Sequence, residues 1–253
     1  MYTDEQLDKL EQDEHSIAEE AIIAMLLLLA NTKDELEKEL RNFYQKYGRD
    51  GVVTYQEAQK WISEKNHRKR LTVLNILLAT KFSNLFDDLT EEFNNFVKGV
   101  MKTESEFFKV DLDIDKLVLS DWGVDDSNWL DRLEEDVELW HANIRNDVKR
   151  SLLQRKNIKD VLKRLDERFT TMEGVIRNLG FTESTAVGSI ARRQIFKELG
   201  ITKYRFYTRP DERRCETCGS MHGLVFPISS YEVGVTASPI HPRCRCWEVP
   251  IKD

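Results

Sequence analysis

The chain has 253 residues, of which 33% are charged and 40% hydrophobic, and its formal net charge is −7. That length buries a sizeable core and suits one or two domains, and the composition excludes a disordered chain. The acidic balance argues against a protein that grips nucleic acid over its whole surface, which would present a basic footprint.

The N-terminus, M-Y-T-D-E-Q, lacks the basic start of a secretory signal. Thr3 to Gln6 has the form of a capping box. Apolar residues then recur at helical spacing through Leu7, Leu10, Ile17, Ala21, Met25, Leu28, Leu36, Leu40 and Phe43, which predicts a helix or helix pair to about Tyr47. Its most apolar run, Ala21 to Ala30, is too short to span a bilayer and is flanked by acids, so it reads as a buried helix. Gly48 and Gly51 end the segment. A second capping box, Thr54 to Glu57, predicts a short helix through Trp61. From about Arg68 to Phe108 a stripe including Leu74, Leu78, Phe82, Leu85, Leu89, Phe93 and Phe96 predicts a long helix.

Residues 110–124 read as an irregular connector. Its D-L-D-I-D resembles part of a calcium loop, but the glycine and terminal glutamate are misplaced. Asp126 or Ser127 should cap a helix to about Arg155, and two more should cover 157–169 and 173–179. Gly180 should stop the chain, and Thr182 should cap a further helix ending at Gly200. Beyond it, Tyr204 to Thr208, Leu224 to Phe226 and Arg245 to Ile251 read as strands. The expected fold is mainly α with a small C-terminal β-rich module: an elongated helical body plus a cysteine-rich α+β domain. The expected division is 1–109, a helical body; 110–169, a connector and helical segment; and 170–253, the cysteine-rich module.

All four cysteines and all five prolines lie between residues 210 and 253. Cys215 and Cys218 form C-x-x-C, a knuckle that lets two thiolates reach one metal. His241, Cys244 and Cys246 offer three more donors in H-P-R-C-R-C. Residues two apart on a strand face one side, so Cys244 and Cys246 could complete a site of four cysteines. Alternatively His241 replaces one of them, giving three cysteines and one histidine. Structural zinc is the expected cofactor, with disulfides or free thiols as the rival. A Cys–His nucleophile using His222 or His241 has no acidic orienter in view. Arg192 with Arg193, and the run K-N-H-R-K-R from Lys65 to Arg70, could contact phosphate but read first as solvated helix faces.

The segment Tyr204 to Pro227, Y-R-F-Y-T-R-P-D-E-R-R-C-E-T-C-G-S-M-H-G-L-V-F-P, and the segment Pro239 to Pro250, P-I-H-P-R-C-R-C-W-E-V-P, resemble the Mu F-like phage head morphogenesis family, or minor head proteins. Asp211 supplies the family's acidic turn, and His222-Gly223 stands where Asp-Gly is common. The helix from Thr182 to Gly200 is similar to the family's segment before its first strand, so the resemblance covers about residues 170–253. It implies a non-enzymatic virion component that acts in capsid assembly and DNA packaging or delivery. It also implies binding to the portal protein inside the head, with scaffold or major capsid protein, and packaged DNA, as further candidate partners. The implied location is the capsid interior, and host cytoplasm during assembly, with no membrane and no small-molecule substrate. The alternative is a zinc-ribbon adaptor for nucleic acid. A portal-binding module is expected to expose Tyr231, Arg243 and Trp247 around its rigid centre.

Overall fold

The computed structural model describes residues 4–54, 56, 65–209 and 211–251, with the backbone alone at residue 4 and across 65–76. The helix expected through Trp61 lies outside the described residues, as do the side chains of the K-N-H-R-K-R run. The helices are α1 (Asp4–Tyr47), α2 (Lys65–Phe108), α3 (Ile114–Leu117), α4 (Trp129–Leu153) and α5 (Ile158–Glu198). Then come β1 (Lys203–Thr208), α6 (Glu216–Met221), β2 (Val225–Pro227) and β3 (Cys246–Ile251). The mainly α fold with a small C-terminal sheet is as the sequence pattern requires.

The chain forms two compact units that interleave along the sequence. One comprises Ala24–Thr90 and Glu134–Val175. Its core is the apolar stripe made real: Leu36, Leu40, Leu78, Leu85 and Leu89 are buried. Phe82 and Phe169 each pack edge-to-face against Trp140, with centroids 4.8 and 4.7 Å away. The Trp140 indole N–H is satisfied by the Arg168 carbonyl at 2.9 Å. Asp50 and Gly51 turn the chain in the left-handed region after α1, and Val52 then bridges to Asn157 at the start of α5.

The other unit comprises Met1–Ile23, Glu91–Leu133 and Ile176–Asp253. Trp129 stacks on Phe93 at 5.4 Å, and Phe196 meets both Phe108 and Tyr231 edge-on. The sheet runs in the order β2-β1-β3, with β1 antiparallel to both neighbours. Tyr204, Phe206 and Thr208 point inward at alternate positions of β1, as a pleated strand requires. Thr208 is paired in register with Cys246, which places the second cysteine pair beside the central strand.

Several expectations fail for identifiable reasons. Gly180 does not stop a helix; α5 runs through it. A Cβ there would meet the Ile22 side chain of α1 at 2.7 Å, so the glycine serves a close helix approach. Thr182 caps nothing and sits inside α5, with its hydroxyl donating to the Asn178 carbonyl at 2.7 Å. The cap of α4 is Asn128, whose Oδ1 accepts from the N–H groups of Leu130 and Asp131, while Asp131 accepts from Asn128 N–H in return. Tyr231 and Trp247 are buried, at 2% and 4% exposure, leaving Arg243 exposed among the three expected contact residues. Arg192 is buried as well, enclosed by carboxylates and out of reach of phosphate. In D-L-D-I-D, Asp113 and Asp115 pair with Lys116 and Lys98.

α1 is long and apolar enough to cross a membrane by length and composition. Its apolar run nevertheless has two faces: Ile22, Met25 and Leu29 are at most 1% exposed, whereas Ile23 and Leu27 are 57% and 60% exposed.

A candidate metal centre and the buried ties around it

The C-x-x-C knuckle is built by the first turn of α6. Cys215 caps this short helix, its sulfur accepting from the Cys218 N–H at 3.3 Å. An N–H aimed at sulfur favours a thiolate there, and it holds Cys215 below its usual range. The same turn directs Cys218 inward against Phe206, Cys244 and Cys246.

The second half closes over the knuckle through a left-handed turn. Arg243 has φ +58°, uncommon for a residue with a side chain. Two threonines of α5 hold this turn. The Arg243 N–H donates to Thr182 Oγ1 at 3.0 Å, and Thr185 Oγ1 donates to the Cys244 carbonyl at 2.8 Å. Spaced three apart, they share one helix face. Asp211 ties the halves from outside, its two oxygens accepting from Arg245 at 2.7 and 2.8 Å.

His241 Nδ1 lies 2.8 Å from the Pro242 carbonyl. That carbonyl accepts only from an N–H, so Nδ1 carries a proton and Nε2 is the nitrogen turned toward the sulfurs. Nε2 stands 3.2 Å from both Cys215 Sγ and Cys218 Sγ. Cys218 Sγ lies 3.7 Å from Cys244 Sγ. Two thiolates bound to one tetrahedral zinc at about 2.3 Å would stand about 3.8 Å apart, so the spacing of this one pair fits the metal. The donor atoms fall into two overlapping groups, Cys215–Cys218–His241 and Cys218–Cys244–Cys246, each with its atoms within 4.8 Å of one another. All five expected donors therefore come together, and Cys218 belongs to both groups.

Crowding spreads the thiols' acidities. A hydrogen bond from Cys246 lowers Cys244 to about 6, while burial pushes Cys218 up to about 12. Cys246 itself is raised, first by that hydrogen bond and then by burial. His222 lies apart from this chemistry: its Nδ1 accepts from the Thr208 N–H at 3.2 Å, and its ring packs on Tyr207.

Two buried polar clusters anchor the elements that carry the centre. Arg192 of α5 donates to Glu14 of α1 at 3.1 Å, to Glu248 of β3 at 2.9 Å, and to Glu104 of α2. A second cluster joins α5 to the connector: Glu183 accepts from the Trp122 indole N–H at 2.9 Å and from Arg132 at 3.0 Å, and the Arg132 guanidinium lies over the Trp122 ring. Burial raises Glu183 to about 7 against the opposing pull of Arg132. Sequence reasoning missed Thr182, Thr185, Glu183 and Glu248 as parts of this assembly. The signals were faint: two threonines three apart, and one acid inside the apolar strand C-W-E-V-P.

Residues 142–249 match the family model described as Phage Mu protein F like protein. The likeness drawn from the tail motifs therefore holds, and it reaches back over the whole of α5 and into the second half of α4. No curated protein and no solved structure matches the chain.

Proposed function

We propose that this chain is a non-enzymatic minor head protein of a phage, acting in capsid assembly and in DNA packaging or delivery while bound to the portal inside the head. The observation that carries this reading is the family match over residues 142–249, which ends within the strand that closes the cysteine-rich module. The module's centre supports it: a closed, thiolate-rich cluster suits a structural staple better than a reactive site. Zinc is the proposed ion, bound by Cys215, Cys218, His241 and Cys244. Nε2 of His241 faces two of these thiols, and its anchored Nδ1–H is the outer contact that orients a ligating imidazole. Cys246 is the spare donor, engaged with Cys244 and the Thr208 side chain. When bound, zinc would fix the two halves of the module to each other, and the threonines of α5 would set that staple in place.

One observation favours a second reading. Arg205, Arg213, Arg214 and Arg243 are exposed on the module, a chemistry that also suits nucleic-acid phosphate. Co-purification with the portal protein of the same phage separates the two. The minor head reading expects the complex to survive nuclease treatment and high salt. Loss of the complex together with the DNA would overturn it in favour of a nucleic-acid adaptor.

A further inference from the structure

The cage around Arg192 holds more negative charge than its single guanidinium neutralises. Glu248 is fully engaged: Oε1 accepts from the Ser238 N–H at 2.6 Å, and Oε2 accepts from Tyr231 Oη at 3.0 Å and from Arg192. Arg192 then remains to serve both Glu14 and Glu104. These two carboxyl groups face each other, and Glu104 Oε2 is buried with no hydrogen-bond partner among the described residues. Glu104 is 0% exposed and Glu14 4% exposed. Two carboxylates facing each other have only acceptors to offer, and an unpartnered buried oxygen carries a large desolvation cost. The Glu14–Arg192 pair is packed tightly against α5 at Gly188, where a Cβ would meet both side chains at 2.8 Å.

We propose that the Glu14–Glu104 pair holds one proton at neutral pH, and that this proton lets α1 and α2 close together on Arg192. The proton turns one carboxyl into a donor, supplies the missing hydrogen bond, and reduces the cage to two negative charges facing one guanidinium. Burial, followed by the charge of Glu104, holds the Glu14 carboxyl well above its usual range. The groups facing the pair are Glu11 and His15 from α1, Arg192 from α5, Glu248 from β3, and Tyr231; Arg209 and Arg245 approach Glu11. A cavity of about 400 Å³, lined in part by Glu11, Glu14, His15 and Arg192, lies beside the pair.

The sign follows from proton counting. A carboxyl raised by folding binds its proton more tightly in the native state, so stability falls as pH climbs from the unfolded value toward the folded one. Thermal or urea unfolding of the full chain at pH 5 and pH 7, compared with Glu104→Gln, tests this. The amide keeps the shape and supplies a permanent N–H donor. Over those two pH units the wild-type unfolding constant should rise by up to about a hundredfold more than that of the variant. Equal pH responses would overturn the proposal. Glu14→Gln gives the same test if Glu104→Gln does not fold. A third measurement spares both residues: Glu183→Gln protein at pH 7 should show the infrared carbonyl stretch of a protonated carboxyl, and its absence would overturn the proposal.

Discussion

The unit formed by Ala24–Thr90 and Glu134–Val175 is closed by leucines and by the Phe82–Trp140–Phe169 aromatic cluster, whereas the unit that carries the sheet is closed to an unusual degree by buried polar ties. The difference is one of specificity. Apolar stripes tolerate substitution if volume is kept, because the hydrophobic effect has no direction. A guanidinium shared among three helices and a strand fixes one arrangement, and leaves buried charge uncompensated if any partner is lost.

The comparison is broken most directly at Arg192. Arg192→Ala leaves Glu14, Glu104 and Glu248 buried without their cation, and should cost about 3–5 kcal/mol in urea unfolding. Phe169→Ala in the other unit should cost a similar amount, about 3–5 kcal/mol, through lost apolar burial and the cavity left behind. The two differ in repair. Protonating the carboxylates at low pH should restore much of the Arg192→Ala loss and none of the Phe169→Ala loss. Equal pH behaviour of the two variants would erase the distinction between the units.

A smaller effect sharpens it at Glu183. Its folded value, about 7, lies above the usual carboxylate value of 4.5, so the stability it contributes is present below about 4.5 and is lost as pH rises through 7. Glu183→Gln keeps an acceptor for Trp122 and Arg132 and cannot ionise. Unfolding measured at pH 5 and pH 8 should therefore show a flatter pH response in the variant. Parallel responses would mean that Arg132 already compensates the charge. The smallest effect is at Thr185, where Thr185→Val removes the hydrogen bond to the Cys244 carbonyl. The expected loss is about 1 kcal/mol, with protease cleavage appearing first in the turn around Arg243. Unchanged cleavage would show that α5 does not hold that turn.

What was legible in the sequence follows the same division. The apolar stripe of α2 gave its helix, and Gly200, with φ +66°, ended α5 where a C-terminal glycine should. The strands β1 to β3 and the gathering of the five candidate donors were readable from alternation and spacing. Gly180 was not, because a glycine that admits a neighbouring Ile22 looks the same in one dimension as a glycine that ends a helix. Arg192 and Tyr231 were unreadable for a related reason. A polar residue reads as exposed until its partners are known, and Glu14, Glu104 and Glu248 lie 178, 88 and 56 residues away from Arg192 along the chain.

Native mass spectrometry of the full chain, made under reducing conditions, tests the proposed centre most directly. One zinc ion per chain is predicted for the wild type and for Cys246→Ser, with loss of the ion in Cys218→Ser and His241→Ala. Wild-type protein carrying no metal and two intramolecular disulfides would contradict the account, and zinc retained in His241→Ala but lost in Cys246→Ser would replace the proposed ligand set with four cysteines.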